Sequence, residues 1–144
     1  MAIGSILNRK LTTCTRDAGI REVARLMREE EVGAVLVIEN RKPIGIITDR
    51  DLVLRGLTSS RDISDLGVDD VMSVAIETAS EHDGIYNVIQ KMRSGGVRRI
   101  PVVNSFGEAI GLLSFDDLFE LIADEVVALK DIIQPREAKL VDVA

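Results

Sequence analysis

Asp17-Ala-Gly-Ile-Arg-Glu-Val-Ala-Arg-Leu-Met-Arg-Glu-Glu-Glu-Val32 returns 65 residues later (17 to 82) as His82-Asp-Gly-Ile-Tyr-Asn-Val-Ile-Gln-Lys-Met-Arg-Ser-Gly-Gly-Val97. Gly19/Gly84, Ile20/Ile85, Val23/Val88, Met27/Met92, Arg28/Arg93 and Val32/Val97 are identical pairs. The match resumes at an offset of 66 (44 to 110), with Ile44-Gly-Ile-Ile-Thr-Asp-Arg-Asp-Leu52 against Ile110-Gly-Leu-Leu-Ser-Phe-Asp-Asp-Leu118. The extra residue falls in a loop, 104–109 against 39–43, where a duplicated fold tolerates insertion. A tandem pair of small units points to a function located between the copies, in a cleft of approximate twofold symmetry.

Within each copy, periodicity sets the elements. Ile20, Val23, Ala24 and Met27 recur at helical spacing, as do Ile85, Val88, Ile89 and Met92, so each copy holds an amphipathic helix with one buried stripe. An apolar run follows each helix, 34–38 and 100–103, and its β-branched content predicts a buried strand. A polar turn leads to a second strand, 44–48 or 110–114, which runs straight into a helix, short over 49–56 and long over 115–133. Extended segments are expected before each unit, at 11–14 and 76–78. The polar stretch 59–67 reads as a linker between a first repeat, 1–58, and a second, 68–123, with a helical extension and tail over 124–144.

The last helix carries Leu118, Leu121, Ile122, Val126, Leu129, Ile132 and Ile133, a stripe longer than one small core needs. It is expected to pair with a second subunit in a homodimer. Pro135 and the charged tail end that helix.

Composition narrows the function classes. A unit of about 60 residues buries too little surface to stand comfortably alone, so two in a chain of 144 residues should pack together. With 46% hydrophobic and 29% charged residues the chain reads as globular, and with 3% aromatics its core must be aliphatic. Few rings for stacking on bases and a net charge of −6 argue against nucleic acid or an anionic membrane as the main partner. No apolar run is long enough to span a membrane and no signal-peptide pattern is present, so a cytoplasmic location is expected. Cys14 and His82 are the only residues of their kinds and form no metal-ligand or catalytic set. No metal, no catalytic cofactor and no enzymatic activity are expected.

The strings Gly45-Ile-Ile-Thr-Asp-Arg-Asp51 and Gly111-Leu-Leu-Ser-Phe-Asp-Asp117 place a hydroxyl at a strand end and an Asp one helical turn later. Free backbone N–H groups at such a corner favour a phosphate. The Thr48 or Ser114 hydroxyl can meet a phosphate or sugar oxygen, and Asp51 or Asp117 can accept both hydrogen bonds of a ribose diol. The glycine admits a ligand or another backbone at close range. The same spacing is also a capping box, in which hydroxyl and carboxylate satisfy the helix's own N–H groups. Both readings stand at this point.

The chain resembles the CBS (cystathionine-β-synthase-type) domain in its tandem, or Bateman, arrangement, as a stand-alone pair. Val32-Gly-Ala-Val-Leu-Val-Ile38, Pro43-Ile-Gly-Ile-Ile-Thr-Asp-Arg-Asp-Leu52, Val71-Met-Ser73, Gly96-Val-Arg-Arg-Ile-Pro-Val-Val103 and Ile110-Gly-Leu-Leu-Ser114 with Asp117-Leu118 carry the resemblance, over roughly 3–122. It implies an α/β (α+β) fold, β-α-β-β-α per repeat, two repeats packed sheet to sheet. It further implies a cleft for adenosine-type ligands: AMP, ADP, ATP, NAD or S-adenosylmethionine. By the resemblance Asp51 and Asp117 take ribose hydroxyls, and Thr48 and Ser114 contact ribose or phosphate. Arg98 and Arg99 match the phosphate-binding place, where the first repeat has Gly33 and Ala34, so the sites should be unequal. Arg50 is a secondary phosphate candidate, and Val32, Val97, Ile6 and Val71 are candidates to sandwich the adenine. The implied function is a nucleotide-sensing module that regulates a protein the sequence does not identify. The alternative is a dimeric interaction scaffold with empty clefts.

Overall fold

The computed structural model of the protein describes residues 1–74 and 76–133. They fall into two units, Met1–Leu113 and Ser114 onward, treated separately here.

In the first unit, Gly19 and Gly84 stand in extended conformation before helices α1 (Ile20–Glu30) and α4 (Ile85–Gly95). The periodic residues do what their spacing dictates: Ile20, Val23 and Met27 are buried on α1, Val88 and Met92 on α4. Both helices stop on a left-handed residue, Glu31 with φ 54° and Gly96 with φ 61°. Only the second copy has the glycine this conformation favours. Glu31→Gly should therefore stabilise the fold by about 0.5–1 kcal/mol, read as a higher urea midpoint at unchanged slope. A lower midpoint would show that Glu31 is not strained.

The strands form two three-stranded sheets. In the first, β1 (Thr13–Cys14) runs parallel to β2 (Ala34–Glu39), and β2 pairs antiparallel with β3 (Lys42–Thr48). Ala34 faces Thr48 and Leu36 faces Ile46, with a register shift between Val37 and Ile38. In the second sheet, β4 (Ala79–Ser80) runs parallel to β5 (Arg99–Val103), which neighbours β6 (Ala109–Ser114). Val35, Leu36, Val37 and Ile47 are wholly buried. Each such side chain contributes about 1.5–3 kcal/mol through burial.

One expectation needs correction and two gain detail. The extended segment expected at 76–78 pairs as a strand only at Ala79–Ser80, where Ala79 meets Val102. The apolar Ile76 suggested a strand, but it lines a cavity instead. The helix expected over 49–56 is one α turn, α2 (Asp49–Asp51), followed by a wider π turn over Leu52–Leu57. Gly56 packs there beneath α1: a Cβ on it would lie 3.2 Å from the Ile20 side chain. The stretch 59–67 is more than a tether, because Leu66 is buried and Ile63 packs on the first core.

That last point exposes how the copies are joined. The Ile20 N–H donates to the Leu66 carbonyl (3.2 Å) and the Val68 N–H to the Ala18 carbonyl (3.0 Å). Helix α3 (Val68–Val71) then buries Val68, Val71 and Met72 against Val23, Val35 and Ile47 of the first copy. In return, the Ile3 N–H donates to the Asp83 carbonyl (2.9 Å) and the Gly4 N–H to the Glu81 carbonyl (3.0 Å). The chain ahead of each copy is thus sewn onto the helix start of the other.

In the second unit, helix α5 spans Phe115–Ile133, about 28 Å at the usual rise. Pro135 and the tail lie outside the described residues. No described helix is long and apolar enough to cross a membrane.

Candidate functional site

β3 delivers Thr48 to the start of α2 because its pairing with Ala34 ends there and the Asp49 N–H donates to the Gly33 carbonyl (3.0 Å). Thr48 is a full capping box with Asp51. Its hydroxyl accepts from the Asp51 N–H (3.2 Å) and donates to Asp51 Oδ2 (3.0 Å), which also accepts from the Thr48 N–H (2.9 Å). Ser114 and Asp117, in the second unit, repeat the arrangement at 3.1, 2.7 and 2.9 Å. The cap therefore exists in both copies. It leaves Asp51 Oδ1 and one lone pair of the Thr48 hydroxyl uncommitted to it.

Both residues also border a cavity of about 410 Å³ within the first unit. Ile46, Thr48 and Asp51 form one wall. Ser73, Val74, Ile76 and Glu77, on the segment leaving α3, form another. The third comes from the end of α4 and the start of β5: Gly95, Val97, Arg98, Arg99 and Pro101. The volume lies in the range of small-molecule sites.

The cavity is electrically balanced. Arg98 and Arg99 oppose the carboxylates of Asp51 and Glu77. A Cβ at Gly33 would lie 3.3 Å from Arg99 Nη2 and 3.2 Å from Asp49 Oδ2, so the missing side chain leaves room for this guanidinium. Glu77 and Arg99 make no side-chain hydrogen bond or ion pair among the described residues. Glu77 is exposed, and its carboxylate stands against the chain at Gly95, whose Cβ would be 3.7 Å from Oε2.

Of the residues singled out in the sequence, this cavity gathers Thr48, Asp51, Val97, Arg98 and Arg99. Arg50 is exposed and outside the lining; its N–H donates to Asp49 Oδ1 (2.8 Å). Val32 and Ile6 are half-buried and also outside it. Val71 is corrected: at 1% exposure it is sealed into the first core and offers no face to a ligand. Its spacing from Val68 and Met72 makes one amphipathic turn, which takes it inward.

Two contributors escaped the sequence reading. Glu77 sits in no motif. Arg55 lies four residues after Asp51, a helical spacing that could have flagged it. Its Nη1 donates to the carbonyls of Val71 (3.1 Å) and Met72 (3.3 Å), and its Nε is 4.0 Å from Asp51 Oδ1. Arg55 thus ties the corner bearing Asp51 to the segment that becomes the second wall.

Cys14 is set apart from this chemistry. Burial, with a smaller effect of Glu22, pushes its thiol up to about 11, so at neutral pH it stays protonated and a poor nucleophile. Among the described residues no three potential ligands cluster to hold a metal.

Two helix–strand–strand copies, each closing on a hydroxyl–Asp corner, find their counterpart among known proteins. A family model for the CBS domain matches residues 3–57 and 68–124. The chain belongs to the CBS domain family. An uncharacterized protein of Methanopyrus kandleri is 30% identical over 84% of this chain, which spans only 62% of that relative's length. A CBS domain-containing protein of Bacillus subtilis is 28% identical over 81% of this chain and 82% of its own. Among solved structures, a CBS domain protein of Pyrobaculum aerophilum complexed with AMP superposes with a TM-score of 0.73 at 27% identity, over 81% of this chain and 89% of that one. The α/β fold is that of a CBS pair.

Proposed function

We propose that the cavity between β3, the residues Ser73, Val74, Ile76 and Glu77, and β5 binds an adenosine ligand with one phosphate, AMP being the natural match, and that its occupancy regulates a partner protein. The observation that carries this reading is the meeting of Thr48 and Asp51 with Arg98 and Arg99 around one cavity. A ribose diol would donate to Asp51 Oδ1, because Oδ2 is already held by Thr48. The Thr48 hydroxyl, already donating to Asp51, would accept rather than donate. Two guanidiniums match one phosphate dianion, with Val97 and Ile76 offering apolar surface to the base. Ser114 and Asp117 carry the same pair of groups and would serve a second ligand. The AMP complex of the Pyrobaculum aerophilum relative supports this class of ligand. The ligand would bridge both copies and hence favour one packing of them, which is what regulation by differential affinity requires.

The charge balance refines the choice. Each phosphate beyond the first adds about one negative charge, for which the lining offers no third cation, and it meets the Glu77 carboxylate. Titration calorimetry in EDTA buffer should rank AMP over ADP over ATP. Glu77→Gln should narrow the AMP-to-ATP ratio by about three- to tenfold. An unchanged ratio would remove Glu77 from selectivity while leaving the site intact. The capping boxes favour a second reading, a scaffold whose corners only start helices. The absence of heat and of thermal shift with AMP, ADP, ATP, NAD and S-adenosylmethionine alike would establish that reading.

A further inference from the structure

Arg55 is not needed to build the corner it touches, and the duplication supplies the internal control. At the offset of 66 that aligns the two corners (55 to 121), the second copy carries Leu121. Ser114 and Asp117 nevertheless close the same capping box, at 3.1, 2.7 and 2.9 Å. The box therefore forms with no arginine at that position. In the first copy a long side chain, 51% exposed, is instead held in one place at a cost in rotamer freedom. Its Nη1 donates to the carbonyl oxygens of Val71 and Met72, while its Nε stands 4.0 Å from Asp51 Oδ1. What Arg55 adds is a link between two walls of one cavity: Asp51 belongs to the first, and Met72 leads directly into Ser73 and Val74 of the second.

We infer that Arg55 is a positioning residue of the nucleotide site, which fixes Asp51 relative to Ser73 and Val74 and so sets how well the site holds a ribose diol. This role rests on the adenosine reading above. The wall is anchored at two points. One is the pair of hydrogen bonds that Ser73 exchanges with Ile46, at 3.1 and 2.9 Å. The other is the Arg55 guanidinium, which ties the wall to the carboxylate that would take the diol. A planar fork can serve carbonyls with one nitrogen and address a carboxylate with another. A lysine ammonium keeps the charge but is a single point, and reaches one target or the other. Because Arg55 acts through Asp51, its loss should be felt on the sugar rather than on the phosphate.

The test is calorimetry with AMP and its 2′-deoxy analogue on the full-length protein. The wild type should prefer AMP by about tenfold, the value of one hydrogen bond to a charged acceptor. Arg55→Lys and Arg55→Gln should each weaken AMP about tenfold and the deoxy analogue much less, so that the preference narrows. Arg99→Ala, on the phosphate side, should weaken both ligands alike. Amide hydrogen exchange without ligand reads the wall itself. In Arg55→Lys the Ser73 amide should exchange about tenfold faster, while the Leu36 amide, bonded to the Thr12 carbonyl in the first sheet, keeps its rate. A preference for AMP that both variants retain would overturn the positioning role alone, as would unchanged exchange at Ser73. A wild type that binds neither ligand would overturn the adenosine reading and this role with it.

Discussion

Asp51→Ala should weaken AMP binding by about 10- to 100-fold and cost the fold only about 1 kcal/mol. The two effects separate because the carboxylate has two oxygens with different employment. Oδ2 accepts from the Thr48 N–H and hydroxyl and completes the capping box. Losing a cap is worth about 0.5–2 kcal/mol. Oδ1 takes no part in the cap and has Arg55 Nε 4.0 Å away, and Asp51 borders the cavity. A charged acceptor that loses a diol forfeits about 1.5–3 kcal/mol, which is the tenfold to hundredfold range. Urea unfolding and calorimetry on the same preparation measure both. An affinity that barely moves while stability falls would make Asp51 a cap and nothing more. Asp117→Ala, at the matching corner, should cost similar stability, because Asp117 completes the same capping box with Ser114.

Much of this architecture was readable from the residues alone, for a physical reason that also marks where reading fails. Ile20, Val23 and Met27 lie on one face of α1 because a helix turns every 3.6 residues, so local spacing suffices to place them. Val35 and Val37 belong to β2 because β-branched side chains suit a strand buried on both faces. Thr48 and Asp51 were legible as a corner, but the division within it was not: only coordinates assign one carboxylate oxygen to the cap and leave the other out of it. Val71 looked like a wall and proved to be core, because its partners, Val23 and Ile47, are distant in sequence. The exchange of segments at Ile3 and Leu66 rests on backbone hydrogen bonds that any side chain permits, so no sequence pattern announces it. Glu77 became visible only when the cavity's charges could be counted together. On α5 the stripe read from the sequence divides: Leu118 is buried, whereas Ile122, Val126 and Leu129 are exposed.

Gly45→Val should be the most damaging single substitution, costing about 3 kcal/mol and removing nucleotide binding together. The sequence motif suggested that this glycine admits either a ligand or a neighbouring backbone. The structure gives it to the backbone. A Cβ at Gly45 would lie 2.6 Å from Met72 Sδ and 3.0 Å from the Ser73 carbonyl oxygen. Met72 could rotate, but Ser73 is held in place by both hydrogen bonds it exchanges with Ile46, at 3.1 and 2.9 Å. Relief of the clash must therefore push residues 72–74 off the edge of β3. That movement breaks the bridge to Ile46, strains the Arg55 clasp on the Val71 and Met72 carbonyls, and carries away Ser73, Val74 and Glu77 from the cavity. Gly111 supplies the control, since it occupies the same place in the second copy. There the three atoms nearest a Cβ, at 2.6–2.8 Å, all belong to the Leu7 side chain, which can turn aside. Gly111→Ala should thus cost less than Gly45→Ala in thermal unfolding, and Gly45→Val should lose AMP binding at temperatures where it remains folded. Equal melting of the two alanine variants, or normal AMP affinity in Gly45→Val, would show that the segment after α3 can move freely and that the cavity does not depend on its seat against β3.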